Sequence, residues 1–102
     1  MALAFRGTIS GTVDSVAQNL PMKLFAFSIV NNTGGAVTVT AYVVPEGASA
    51  IPITPLNKSL AAGETYMDDE ERIMMRGDTI RVTSSGSVGY YFNMENIKPV
   101  ID

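Results

Sequence analysis

The residues most capable of chemistry in this chain are carboxylates, and the densest group is the run Asp68-Asp69-Glu70-Glu71. Carboxylate oxygens suit Ca²⁺, but the run lacks the glycine-containing spacing of an EF-hand loop. Four adjacent side chains also cannot all converge on one ion, so we interpret the run as a solvated turn. A pair such as Asp14 and Asp69 could do acid–base work as in glycosidases, but no aromatic substrate platform accompanies it.

Two residue types that usually do chemistry are missing from the sequence. The absence of cysteine excludes disulfides, zinc–thiolate sites and thiol nucleophiles. The absence of histidine removes the commonest general base and metal ligand. We therefore predict no catalytic residue, no metal site, no cofactor and no enzymatic activity.

Three short motifs have ordinary structural explanations. Arg76-Gly77-Asp78 matches a tripeptide read by adhesion receptors, but Gly-Asp between strands is common turn chemistry. Asn31-Asn32-Thr33 fits the glycosylation pattern, which requires a secretory route that no signal supports. Gly34-Gly35 lacks the lysine and the following helix of a phosphate-binding loop.

Charge and hydropathy exclude further partners. The net charge is −3 and the seven cations are scattered, so we expect no nucleic-acid binding. No run approaches the ~18 apolar residues of a membrane span, so we expect no membrane partner. We expect folding in a reducing cytoplasm.

The fold class follows from residues 25–44. Two runs rich in β-branched and aromatic residues flank Asn31-Asn32-Thr33-Gly34-Gly35, whose asparagines and glycines tolerate positive φ. Side chains alternate along the second run, as in a strand with one dry face and one polar face. This pattern predicts a β-hairpin.

Turn signals every 8–12 residues extend that prediction to the whole chain. We predict an all-β fold, a compact antiparallel β-sandwich of about seven short strands in one domain over residues 1–102. Residues 51–59 contain two prolines and fit only an edge strand, while residues 70–75 fit either a helical turn or a short strand. Residues 79–84 and 88–94 read as two strands joined by a turn at 85–87.

The candidate interaction residues lie mainly in the extended terminal segments, an N-terminal arm or first strand over 1–24 and a tail over 97–102. Apolar side chains there are unusual for a small monomer, whose termini are normally polar and frayed. We predict that one or both segments contact a neighbouring subunit, unless Leu3 and Phe5 simply belong to the first strand. Tyr91 is a further candidate because tyrosine is enriched in interfaces. The predicted interface residues are Leu3, Phe5, Tyr91, Ile97, Val100 and Ile101.

A resemblance adds to these inferences over roughly residues 25–84. A strand ending in Asn32-Thr33-Gly34 precedes a Val-Thr strand that ends near Pro45. An Ala-Ala-Gly-Glu-Thr turn at 61–65 and a Gly-Asp-Thr-Ile-Arg-Val strand at 77–82 follow. This arrangement resembles small structural proteins of tailed bacteriophages.

The resemblance implies a virion component, first of all a capsid cement or decoration protein that binds the major capsid protein as a trimer. A neck, tail or fibre-attachment subunit that contacts tail or portal proteins is the alternative. Either would be located in the virion, after assembly in the host cytoplasm. From other classes, a carbohydrate-binding module would need Tyr42 and Tyr91 in place of the missing tryptophans, and an enzyme would need a convergent acid pair.

Overall fold

The computed structural model describes residues 2–96, with side chains from Ala4 onward, and over that range it contains strands and turns but no helix. The all-β antiparallel prediction is confirmed. The eight strands are β1 (Ala2–Asp14), β2 (Met22–Asn31), β3 (Val37–Val44), β4 (Ile51–Pro52), β5 (Lys58–Leu60), β6 (Thr65–Asp68), β7 (Arg72–Met74) and β8 (Thr79–Asn96). Within the described residues, no helix is long and apolar enough to span a membrane.

The sheet is folded over on itself, and its two halves share one core. In the half that contains β2, the second part of β8 lies between β1 and β2, and β6 and β7 extend β2. In the half that contains β3, the first part of β8 lies between β1 and β3, and β4 and β5 extend β3. We call these the β2 half and the β3 half. Both β1 and β8 run through both halves.

The fold line is the level at which the chain passes from one half to the other. It is made of residues 9–11 in β1, 32–36 between β2 and β3, 61–64 between β5 and β6, and 85–87 in β8. Small and polar residues dominate these segments, and Gly11 has a φ of 111° at the bulge in β1. The sharp bending therefore falls where the sequence has few bulky side chains.

Inward-facing side chains of both halves form the core. Alternation along β8 places Ile80 and Val82 inward in the β3 half and Phe92 inward in the β2 half, and all three are fully buried. The ring of Phe92 stacks on Phe27 with centroids 4.8 Å apart and planes 11° apart. This single core holds the folded sheet closed.

Asn31 connects two of the segments at the fold line. Its amide nitrogen lies 2.7 Å from the carbonyl oxygen of Gly35 and 3.0 Å from those of Leu60 and Ala61. Its side-chain oxygen accepts hydrogen bonds from the backbone N–H and the hydroxyl of Thr33. Asn31 is 1% exposed, so it is a buried structural residue rather than a glycosylation acceptor.

Four local predictions can be compared with these strands. The two strands predicted in residues 25–44 are present as β2 and β3, but the predicted hairpin is wrong, because β2 and β3 pair with successive parts of β8 and not with each other. The proline-containing segment is an edge, formed by β4 and β5 beside β3. Of the two alternatives for residues 70–75, the short strand β7 is correct. The turn predicted at 85–87 is wrong, because β8 continues through these residues and bends there.

Candidate interaction surface

The acidic run lies where the edge of the β2 half is interrupted between β6 and β7. Asp68 accepts two hydrogen bonds from the guanidinium of Arg72, at 3.0 and 3.1 Å, and these bonds hold the pKa of Asp68 below its ordinary value. The next three carboxylates, Asp69 to Glu71, are exposed, as expected of a solvated turn. Among the described residues, no cluster of side chains is arranged to hold a metal ion.

The two carboxylates considered as an acid–base pair are on different edges of the sheet. Asp14 ends β1 and is paired with Arg81, whose Nε lies 2.7 Å from Oδ1 of Asp14. The hydrogen bond from Arg81 lowers the pKa of Asp14. Asp69 follows β6 on the opposite edge. The fold therefore gives each carboxylate its own environment.

Two connections cross between the halves at the end of the molecule away from the fold line. The β1–β2 loop (residues 15–21) and the β7–β8 turn (residues 75–78) are joined by backbone hydrogen bonds between Gln18 and both Gly77 and Asp78. Ser15 exchanges two hydrogen bonds with the backbone of Ile80. We call this region the open end.

Asp78 has a structural role at the open end. It is 7% exposed, and its carboxylate accepts a hydrogen bond from the backbone N–H of Met75 at 2.9 Å. Gly77 adopts a φ of 89°, which favours glycine. The Arg76-Gly77-Asp78 tripeptide is thus a tight turn with its aspartate turned inward.

Large apolar side chains are exposed at the open end. Val16 is 85% exposed and Leu20 is 55% exposed in the β1–β2 loop, and Met75 is 60% exposed in the adjoining turn. Exposed apolar side chains that are grouped in this way are characteristic of interaction sites, whereas scattered ones are not. The sequence alone does not indicate these three residues, because only the hydrogen bonds between the two connections bring them to the same end.

A groove of about 410 Å³ opens beside these residues. Phe5 and the buried Met22 and Met94 line its strand side, and Val16 and Leu20 line its loop side. Four uncharged polar residues also line it: Ser15, Gln18, Asn19 and Asn96. It exists because the β2 half is longer than the β3 half at this end. β8 pairs with β2 as far as residue 96, whereas its pairing with β3 begins at residue 79 and spans only 79–84.

The predicted interface residues fall in different places. Phe5 belongs to β1 and packs in the core, with its ring centroid 4.8 Å from that of Tyr90, and it also borders the groove. Leu3 lies in β1 opposite Met94, but its side chain is outside the described set. Ile97, Val100 and Ile101 lie outside the described residues, which end with β8 at Asn96.

Tyr91 is on the outer face of the β2 half, away from the core. It is 41% exposed, and the guanidinium of Arg6 lies 5.9 Å from the centre of its ring. Ser28 is opposite Tyr91 on β2, and the exposed Met67 is opposite Ser28 on β6. Tyr91 therefore belongs to a second surface, separate from the open end.

Comparisons with known proteins identify the fold but no family. No protein-family profile and no curated protein matches the sequence. The NLP core of Drosophila, a structure described in terms of pentamer formation and histone binding, is similar with a TM-score of 0.55 and 16% identity. The similarity covers 93% of this chain and 98% of that one, so the two share a fold along nearly their whole length.

Two structures of infectious bursal disease virus are similar at lower scores. A viral particle structure has a TM-score of 0.47 and 7% identity, over 93% of this chain and 31% of that one. The Gx strain structure has a TM-score of 0.44 and 10% identity, over 95% of this chain and 30% of that one. This chain thus spans about a third of the length of the viral proteins.

Proposed function

We propose that this chain is a non-enzymatic structural subunit of a virion, that it acts as a homo-oligomer, and that it decorates a capsid. The observation that carries the oligomer is the open end, where Val16 and Leu20 are exposed along a largely apolar groove and Met75 is exposed in the adjoining turn. An isolated subunit would leave this surface in water, whereas assembly would bury it.

The fold similarity supports assembly in a ring. The NLP core, which shares the fold, is described as forming a pentamer. A closed ring uses two different surfaces of each subunit, and the apolar open end offers one of them. The bacteriophage resemblance of residues 25–84 supports the virion, with a trimer as its first expectation.

The first experiment measures the native mass of the purified chain by native mass spectrometry and by light scattering after size-exclusion chromatography. We expect a single closed oligomer. Leu20→Asp should dissociate it, because it places a charge on the apolar surface. Leu56→Asp is the matched control, since Leu56 is similarly exposed at 63% but lies between β4 and β5. A monomer at micromolar concentration would contradict the proposed assembly.

The second experiment tests the location in particles of a phage whose genome encodes this chain. Particles that lack the protein should have intact tails and fragile heads, and added protein should bind those heads in many copies. Normal heads with altered tails would instead support the neck or tail alternative. Binding on a glycan array without binding to particles would overturn the proposal in favour of a carbohydrate-binding module.

A further inference from the structure

The groove at the open end has the size of a binding site and an apolar lining. At about 410 Å³ it is within the range of ligand pockets, which are typically ~300–1,000 Å³. Its apolar side chains come from three strands of the β2 half and from the β1–β2 loop. Its polar side chains are uncharged, and no titratable side chain of the described residues lines it. Its chemistry therefore suits aliphatic side chains rather than a charged or strongly polar ligand.

The residues that follow β8 have the matching chemistry. Asn96, the last residue of β8, itself lines the groove. The sequence continues Ile97-Lys98-Pro99-Val100-Ile101-Asp102, with three aliphatic residues among six. We propose that residues 97–102 of one copy occupy the open-end groove of a neighbouring copy, which rests on the homo-oligomer of the proposed function.

The sequence of this segment favours a neighbour's groove over its own. Proline restricts the preceding residue to extended backbone, so Lys98 is disfavoured in the conformation of a tight reversal. Val100 and Ile101 are β-branched and resist the positive φ that many turns need. Six extended residues span about 20 Å, enough to carry the aliphatic side chains beyond the subunit from which they come.

An arm that passes from each subunit to the next gives a heterologous interface. The donor segment and the acceptor groove are different surfaces, so repetition of the contact closes into a ring when the rotation allows it. The donor segment follows Asn96, which lines the groove, so the proposal places the contacts of the ring at the open end. The outer face that carries Tyr91 then remains available for a second partner.

Disulfide trapping tests the contact directly, because the chain has no cysteine of its own. Leu20→Cys and Val100→Cys are prepared separately, one of them isotopically labelled, then mixed under exchange conditions and mildly oxidised. We expect a disulfide-linked pair that contains one chain of each kind, at least tenfold more abundant than the pair formed when Leu56→Cys replaces Leu20→Cys. Intact-mass spectrometry under non-reducing conditions identifies each product.

The outcomes separate this proposal from the proposed function. If a Leu20→Cys/Val100→Cys double variant forms only an internal disulfide, the segment lies in its own groove and the exchange is overturned. If the Val100→Asp/Ile101→Asp double variant keeps the oligomer mass of the unchanged protein, and the two cysteine variants form no mixed disulfide-linked pair, the exchange is overturned while the oligomer stands. If the unmodified chain is a monomer, the homo-oligomer is overturned as well. Circular dichroism of each variant confirms that it has folded.

Discussion

Replacing Asn31 with alanine should loosen the fold line, because it removes all the hydrogen bonds of one buried amide. The carbonyl of Leu60 loses a partner in a buried position, which costs about 1–3 kcal/mol. The carbonyls of Gly35 and Ala61 and the N–H of Thr33 are partly accessible to water, so their losses together add about 1 kcal/mol. We expect a total loss of about 3 kcal/mol from a folding free energy of about 5–15 kcal/mol.

Urea unfolding followed by circular dichroism, at a fixed protein concentration, measures this loss. With an m-value of about 2 kcal/mol/M, Asn31→Ala should lower the midpoint by about 1.5 M. Asn31→Asp should be at least as damaging at neutral pH, because a carboxylate oxygen would face three carbonyl oxygens. Asn32→Ala is the control, since Asn32 is exposed. Equal midpoints for Asn31→Ala and Asn32→Ala would refute the role given to Asn31.

Three further predictions concern other parts of the fold. Gly86→Ala should lower the free energy of unfolding by about 1–2 kcal/mol, because the new Cβ would lie 2.8 Å from a methyl carbon of Val37. Adding Val37→Ala to the same chain should recover part of that loss, as measured by urea unfolding. Phe92→Ala should lower the free energy of unfolding by about 3–5 kcal/mol in the same assay, because it removes a fully buried ring from the core. Pairing with Arg72 lowers the pKa of Asp68. The stability that this pair contributes is therefore present above the ordinary pKa of aspartate and is lost as pH falls through the lowered pKa. Asp68→Asn should flatten that part of the curve of unfolding free energy against pH.

Each of these predictions has a result that would contradict it. Gly34→Ala is the control for Gly86, because a Cβ at Gly34 would meet no atom within 4 Å. Equal midpoints for the two glycine variants would show that the Val37 side chain moves aside without a loss of stability. A Phe92→Ala midpoint close to that of the unchanged protein would mean that the core collapses around the cavity. An unchanged pH slope in Asp68→Asn would assign the acid sensitivity to other carboxylates.

The sequence predicts the local elements of the fold because their causes are local. Alternation in residues 37–44 indicates a strand, the asparagines and glycines before it indicate a turn, and the prolines at 52 and 55 indicate an edge. Each of these signals acts between residues that are close in the chain. The structure confirms the strand as β3 and the edge as β4 and β5, whereas residues 32–36 carry the chain across the fold line without forming a hairpin, because β8 takes the place of a direct β2–β3 pairing.

The folding-over of the sheet and the open end depend on contacts between distant residues. Residues 85–87 contain turn-forming types, yet β1 and β3 hold the neighbouring parts of β8 in one continuous strand. Asn31 reads as a turn residue, and only Leu60, 29 positions away, shows that its side chain is buried. Val16 and Met75 likewise come to one end through hydrogen bonds between separate connections. Pairings of this range leave no periodic signal in the sequence.

The position of β8 determines when the protein can fold during synthesis. β8 is an interior strand of both halves, and it follows the other seven described strands in the chain. A nascent chain that ends before residue 79 leaves the edges of β1, β2 and β3 without the strand that joins them. Closure of the sheet therefore waits for the synthesis of β8 and requires pairings between residues that are distant in the chain. Incomplete chains would be removed by proteolysis or aggregation before they could enter an assembly.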